Sequence, residues 1–456
     1  RRCHREEVPR PPDVLIVLTD QQRPDSIGAY GQALPTTPVL DRLAADGTTF
    51  DAALTVQPVC GPARAALQTG MLPTDVGCWR NGLALPPDVP TMASRLGDLG
   101  YRTGYVGKWH LASDRGPALP AGRTKARYER RAVPPERRGG YRDAWVASDA
   151  LELTSGAYGG HLFDEDGRTV PVEGYRVDSV TATAADRLER LCRDDRPFLL
   201  FVSQLEPHHQ NDRFRTIGPK GAARRYRDHD VPGDLKGTLG DWRWNLAATL
   251  ACAAAIDAGL GRLHDVLRRH GRDRTTITIF SSDHGSHFRT RNLEYKRSPH
   301  EASIRVPLVV HGPGFSGGRR SDRLVTHLDV LPTLVAAAGG DTDGLRGRPL
   351  QEALDGETWR DEVLVQISES QIGRALRTPT HTFAAAAPGR GRVRGHHRSR
   401  AEAYRATHLY DLVADPHQRR NLVRDPAHAG LRTDLAARLA DAVAAAEGRR
   451  PRITGP

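Results

Sequence analysis

The chain opens on an apolar run, Asp13-Val-Leu-Ile-Val-Leu-Thr19, with no polar position between its two ends. Such a run, rich in β-branched residues, predicts a strand buried on both faces of a parallel sheet. Similar runs stand at 103–107, 197–203, 275–280 and 305–311, and 48–54 reads as a further strand. Between them the period changes to that of a helix. Thr37-Pro38 opens one that carries Leu40, Leu43 and Ala44 and stops at Gly47, with proline's fixed φ suited to a first turn. Residues 61–69, 90–99, 328–338 and an alanine-rich stretch from Arg243 to Arg269 predict others. Strands alternating with helices predict an α/β layered domain. Polar clusters follow the strand ends, where open α/β sheets gather ligands.

After Gly340 the pattern shifts to shorter, more polar strands at 361–368, 375–386 and 403–413, closed by an amphipathic helix at 429–447. The run Pro388 to Arg400 reads as an exposed Gly/Arg/His loop. Leu119 to Arg142 is rich in Pro and Arg with little periodicity, which reads as a long surface insertion. The expected organisation is a catalytic α/β domain over 1–340, with the insertion at about 115–142, and a smaller α+β subdomain over 341–456. No internal repeat is visible.

The formal charge of +11 comes almost wholly from arginine, because only Lys108, Lys125, Lys220, Lys236 and Lys296 are lysines. No helix-turn-helix, zinc-finger or aromatic RNA-binding motif accompanies the charge, so it reads as a solvated surface and no nucleic-acid partner is expected. Cysteines 3, 60, 78, 192 and 252 match no zinc pattern or dense disulfide framework, although Cys60 and Cys78 could bridge. No stretch approaches the roughly 18 apolar residues of a membrane span. Arg1-Arg2-Cys3-His4-Arg5 lacks the apolar core of a signal peptide, which leaves the compartment open.

The chemistry concentrates in a few motifs. Cys60-Gly61-Pro62-Ala63-Arg64 opens a predicted helix. Leu18-Thr19-Asp20-Gln21-Gln22-Arg23 and Ser282-Asp283-His284-Gly285 each follow a strand and deliver adjacent pairs of donors. Gly104-Tyr105-Val106-Gly107-Lys108-Trp109-His110, Glu206-Pro207-His208-His209 and the stretch from Lys296 to Pro307 supply ammonium and imidazole groups. Late in the chain come Leu409-Tyr410-Asp411-Leu412, Asp415-Pro416 and Asn421-Leu422. In order and separation these motifs resemble the type I, formylglycine-dependent sulfatases of the alkaline-phosphatase superfamily, from Asp13 to about Val423.

The resemblance implies an α/β fold, alkaline-phosphatase-like, with a large mostly parallel sheet between helices and a smaller C-terminal antiparallel sheet plus helix. It implies hydrolysis of a sulfate monoester (aryl, alkyl or carbohydrate) by a nucleophile that a maturase makes by oxidising Cys60 to formylglycine. One oxygen of its hydrate would attack sulfur, and the second would expel sulfate by re-forming the aldehyde. Asp20, Gln21, Asp283 and His284, with Cys60, would surround one divalent cation. Ca²⁺ is the first expectation, with Mg²⁺ or Mn²⁺ as alternatives, because Gln21 and His284 stand where many members carry Asp and Asn. Arg64 would hold the diol. Lys108, His208 and Lys296 would contact the sulfate, with His208 as proton donor and His209 as the alternative if the register slips by one. His110 would remove a proton as the diol collapses. Asn81, in Trp79-Arg80-Asn81-Gly82, reads either as a substrate contact or as an Asn-Gly turn. Glu301 and Arg305 would steady the loop that carries Lys296.

Two rival readings stand beside this one. Phosphonate monoester and phosphodiester hydrolases of the same superfamily share the Cys60 motif, the Gln after the first Asp and the Asp-His pair. They carry neutral hydroxyl residues where this chain has Lys108 and His110. More remote is a non-catalytic protein of this fold that binds sulfated glycans.

Overall fold

The computed structural model describes residues 10–114, 127–210, 213–356, 358–389 and 395–456. Its centre is a ten-stranded sheet in the order Arg319–Ser321, Thr48–Phe50, Leu308–His311, Thr276–Ser282, Asp13–Asp20, Phe198–Pro207, Arg102–Lys108, Ala144–Ser148, His161–Phe163, Thr169–Pro171. The five strands from Thr276–Ser282 to Ala144–Ser148 all pair in parallel, and antiparallel pairs flank them. Asp13–Asp20 lies in the middle. Its Val14, Ile16 and Leu18 enter one core cluster and its Leu15 and Val17 the other. Both faces are therefore covered, which is why the run tolerates no polar interruption. Each such side chain contributes about 1.5–3 kcal/mol on burial. Cys60–Thr69, Met92–Asp98 and Val330–Ala337 cover the first face. Arg176–Cys192 and Trp242–Arg269 cover the second.

A separate five-stranded sheet comes next, in the order Val363–Ile367, Gly373–Arg377, His381–Ala386, Ala403–Asp411, Arg452–Thr454. It is antiparallel except for its last pair. Helix Ala429–Glu447 packs on it through Leu435, Leu439 and Val443. Val363, Val365 and Ile367 also share a small core with Leu54, Ile304 and Leu324 of the first unit. The fold is thus α/β, with a large sheet between helices and a smaller C-terminal sheet.

Several elements differ from the sequence reading. Arg176–Cys192 and Ala144–Ser148 were not anticipated. The helix buries Val177, Val180, Ala184, Leu188 and Leu191 at helical spacing, but charged residues between them hide the stripe. The expected strand 375–386 is two strands, because Pro379 has no N–H to give a ladder; the Thr378 N–H closes the turn on His381 O at 2.9 Å. Of the expected surface insertion, 115–126 lie outside the described residues. The remainder packs inward: Val133 and Tyr141 are buried in the main core, and Trp109 Nε1 donates to Arg137 O at 3.1 Å. In the Pro388–Arg400 loop, 390–394 likewise lie outside the described residues. Contrary to expectation, one helix, Trp242–Arg269, is long and apolar enough to cross a membrane. Here Leu250, Ile256, Leu260, Leu263 and Leu267 are buried in the core. Cys60, Cys78, Cys192 and Cys252 are buried and joined in no disulfide among the described residues, and Cys3 lies outside them.

Candidate active site

Parallel strands align their carboxyl ends, and four of them deliver polar groups to one edge. Thr19 pairs with Ser282, and Asp20 with Pro207. Asp20, Asp283, His208 and Lys108 therefore emerge side by side. Lys108 ends its strand just after Gly107, whose φ is +111°. A Cβ there would lie 2.0 Å from Ser203 O, so only glycine permits the strand its close approach at this point.

Above this edge sits the helix Cys60–Thr69, every residue of which is buried. Arg64, one turn after Cys60, turns into the carboxylates. Its Nη2 lies 3.2 Å from Asp20 Oδ2 and its Nε 3.2 Å from Asp283 Oδ2. Its Nη1 donates to Lys108 O at 3.0 Å and to Ser203 Oγ at 2.7 Å. The guanidinium thus steadies the two acids and the Lys108 turn rather than donating to Cys60. A planar fork suits this bridging role better than a lysine would.

Asp20, Cys60, Asp283 and His284 each bring one ligand atom into a cluster whose atoms lie within 4.8 Å of one another. His284 Nδ1 and Gly285 O are 2.9 Å apart. With the proton on Nδ1, Nε2 keeps its lone pair for the cluster, 3.3 Å from Cys60 Sγ and 3.4 Å from Asp283 Oδ1. This is the backbone bond that orients many metal-binding histidines. Gln21, at φ +70°, has a buried Oε1 without a hydrogen-bond partner, which costs about 1–3 kcal/mol if nothing else satisfies it. Two carboxylates, an amide oxygen and an imidazole are donors a divalent cation accepts. The residues present therefore fit such an ion.

The electrostatics agree. Burial and the adjacent Asp20 raise Asp283 above the usual carboxylate range, against the pull of His284 and Arg64. Burial and Cys60 also push Asp20 upward, but Lys108, His208 and Lys296 outweigh them and hold it below its ordinary value. The Cys60 thiol sits well below its ordinary value. Burial opposes this; Lys296, Lys108 and His284 together, with a hydrogen bond from His110, prevail. Lys296 Nζ stands 2.8 Å from Cys60 Sγ and 2.9 Å from His284 Nε2. Lys108 Nζ stands 2.8 Å from Asp20 Oδ2 and 3.3 Å from Glu152 Oε2. Burial works against its charge, yet Asp20 and Glu152 raise its pKa.

The histidines divide into distinct settings. His208 Nδ1 is 2.7 Å from His209 O, and its ring stacks on His209 with centroids 4.3 Å apart. His209 stacks in turn on Tyr295 at 4.1 Å. Burial and the neighbouring His208 and Lys296 depress His209 to about 2, so it is neutral at working pH and a poor acid. His110, at φ +63°, has its backbone N–H on Asp149 O at 2.8 Å, while its buried Nδ1 lacks a partner. Asn81 accepts the Gly61 N–H at 2.9 Å through Oδ1 and so ties down the first turn of the Cys60 helix. Glu301 and Arg305 do not hold the Lys296 loop directly. Glu301 Oε1 pairs with Arg377 Nε at 2.8 Å, and Arg305 Nε donates to Asp51 O at 2.7 Å.

Sequence reasoning missed Glu152, Ser203 and Asp149. Burial would raise the Glu152 carboxyl, but Lys108, His110 and His208 bring it down from 4.5 to about 2. Asp149 accepts the N–H groups of Ala112 and Ser113 at 2.8 and 2.9 Å and sets the turn after His110. None of the three stands in a recognisable motif. Asp149 and Glu152 gain their roles only because strand Ala144–Ser148 pairs with the Lys108 strand and carries the short helix Leu151–Thr154 beside it. Ser203 gains its role because Phe198–Pro207 pairs on the other side.

Comparison with known proteins agrees in direction. The Sulfatase family profile matches residues 12–340. An ulvan-active sulfatase of Formosa agariphila is 30% identical over 96% of this chain and 82% of its own length. A solved structure of Bacteroides fragilis, described as the sulfatase yidJ, superposes with a TM-score of 0.78 at 25% identity, covering 95% of each chain. The phosphonate monoester hydrolase of Agrobacterium radiobacter shares the fold, with a TM-score of 0.71 at 23% identity, over 95% of this chain and 96% of that one.

Proposed function

Because the chain belongs to the sulfatase family and is a sulfuric ester hydrolase, we propose that it cleaves sulfate monoesters with a nucleophile derived from Cys60. The observation that carries this reading is the setting of that side chain: buried at a helix N-terminus, 2.8 Å from Lys296 Nζ and inside a four-residue donor cluster. Formylglycine made from Cys60 by a maturase would supply a hydrated aldehyde as nucleophile. Asp20, Gln21, Asp283 and His284 would hold one divalent cation, Ca²⁺ first, whose charge would lower the pKa of the attacking group.

The chain's own residues carry the rest. Lys108 and Lys296 present positive charge to the sulfuryl oxygens and to the negative charge that develops on the leaving alcohol. His208, whose Nδ1–H is held by the His209 carbonyl, would offer a proton from Nε2 to that alcohol as the doubly protonated imidazolium. His209, depressed by burial and by the neighbouring His208 and Lys296, is the weaker candidate for this role. His110, within hydrogen-bonding reach of Cys60, takes a proton from the nucleophile. Arg64 keeps Asp20 and Asp283 in place. The name of the Formosa relative supports a sulfated carbohydrate as one substrate class.

Two measurements test the reading. Intact mass of the peptide spanning Cys60, from a host with the maturase, should show the aldehyde, and retained thiol in an active enzyme would refute the nucleophile. An aryl sulfate should be turned over faster than the matching aryl phosphonate, because Lys108 and His110 stand where phosphonate hydrolases carry neutral hydroxyls. A large preference for the phosphonate would reverse the assignment.

A further inference from the structure

The first strand of the small sheet ends at Ile367, and the residues after it pack against the segments that flank Cys60 and Lys296. Glu369 is buried there at φ +63°, a left-handed conformation that a non-glycine residue keeps only when its surroundings hold it. Its carboxylate divides between two partners. Oε1 accepts the backbone N–H of Asn81 at 2.7 Å, and Asn81 Oδ1 accepts the N–H of Gly61, the neighbour of Cys60. Oε2 takes Arg297 from Nε at 2.8 Å and Nη2 at 2.6 Å, and Arg297 is the neighbour of Lys296. Arg297 is also left-handed, at φ +62°. Its N–H donates to Pro58 O at 3.3 Å, and its carbonyl accepts Ser370 Oγ at 2.8 Å. Beside these, Gln57 Nε2 donates to Ser368 Oγ at 2.6 Å and the Gln366 N–H to Val56 O at 2.8 Å.

We propose that Glu369 is a positioning residue of the reaction: one carboxylate just past the first strand of the C-terminal sheet fixes the Cys60 segment and the Lys296 segment relative to each other. The C-terminal unit is then part of the catalytic machinery. The inference rests on reading Cys60 as the source of the nucleophile. The bonds to Arg297 are charge-assisted and two-pronged, the kind that set geometry as well as energy. The separation they govern is the 2.8 Å between Lys296 Nζ and Cys60 Sγ.

The test is Glu369→Ala and Glu369→Gln in the full, matured enzyme, with matured fraction and thermal midpoint measured for each. Displacing a catalytic group by about 1 Å costs about 10²-fold in rate. Glu369→Ala should therefore lose about that factor in kcat, with KM within about 3-fold. Glu369→Gln, which keeps one acceptor, should lie between it and the wild type. The loss should be larger for phenyl sulfate than for 4-nitrophenyl sulfate, because a poor leaving group depends more on a well-placed cation and acid. Unchanged kcat, an equal loss on both esters, or a loss accounted for by unmatured or unfolded protein would overturn the proposal. If Glu369→Ala does not fold, Arg297→Gln takes its place, with the same leaving-group dependence expected and wild-type kcat counting against it. Should the wild type hydrolyse aryl phosphonates and not aryl sulfates, the sulfatase reading falls. The Glu369 proposal is then judged by the same ratio on phenyl and 4-nitrophenyl phosphonates.

Discussion

Replacing Lys296 by Met removes one ammonium from the centre of the site while keeping most of the side chain's volume. Its Nζ lies 2.8 Å from Cys60 Sγ, and two full unit charges at that distance interact by about 6 kcal/mol at an effective dielectric of about 20. The charge that shifts onto a transferring sulfuryl group is a fraction of a unit. Half a unit gives about 3 kcal/mol, or about 10²-fold in kcat, in line with the about 10²–10³ lost when one transition-state donor is removed. Stability should move the other way or not at all. Lys296 is only 3% exposed, and among the described residues it forms no ion pair with a carboxylate, so methionine removes a buried charge without breaking a salt bridge. The assay is kcat and KM on an aryl sulfate, beside a thermal melt of the same preparation. Lysine at this position serves the reaction only if kcat falls at least about tenfold at an unchanged melting temperature. A variant that keeps wild-type kcat, or loses activity only in proportion to unfolding, refutes the role.

Three other outcomes are expected. Cys60→Ala should lower turnover by at least about 10³-fold, since the remaining groups can bind but not attack; near-normal desulfation would leave the scheme without a nucleophile. Exhaustive chelation should abolish activity, with Ca²⁺ restoring it, and should lower the melting temperature, because an ion at 100 times its Kd stabilises by about 2.7 kcal/mol; equal melts with and without chelator would count against a cation at Asp20, Gln21, Asp283 and His284. The third concerns acid unfolding. The folded Glu152 carboxyl is lowered from 4.5 to about 2, so its contribution is fully present above the unfolded value and is lost as pH falls through about 4.5 towards 2. Glu152→Gln should lower neutral-pH stability and flatten that part of the stability–pH curve, and a curve parallel to the wild type's would contradict the pairing with Lys108.

Much of the site was legible in the sequence because its groups sit in short motifs tied to local structure. The strand 13–20 could be read from its uninterrupted apolar run, and Asp20 marks where that run ends. Cys60 and Arg64 share one helical turn. Lys108, His208, Asp283 and His284 all lie at or just past strand ends. The helix Arg176–Cys192 escaped because Thr and Ala fill its middle and charged residues crowd its second half, so its apolar stripe is thin. Arg64 illustrates a different limit: helical spacing places it near Cys60, but which acceptors its guanidinium chooses depends on Asp20, Asp283 and Ser203, which come from other strands.

The sequence by itself determined the strand–helix alternation, the shift to a second, more polar unit and the residue types available for sulfate chemistry. These come from hydrophobic periodicity and from motifs whose members lie within a few positions of one another. The tertiary structure brings Asp20 and Asp283, 263 positions apart, into one cluster with Cys60 and His284, a grouping the sequence had reached only through resemblance. It alone decided that Lys108 leans on Glu152, and that a glutamate just past a strand of the C-terminal sheet links the Cys60 segment, through Asn81, to the Lys296 segment, through Arg297. Register in a parallel sheet brings together strand ends that no local pattern connects, and a buried carboxylate pairs with whichever donors packing leaves beside it.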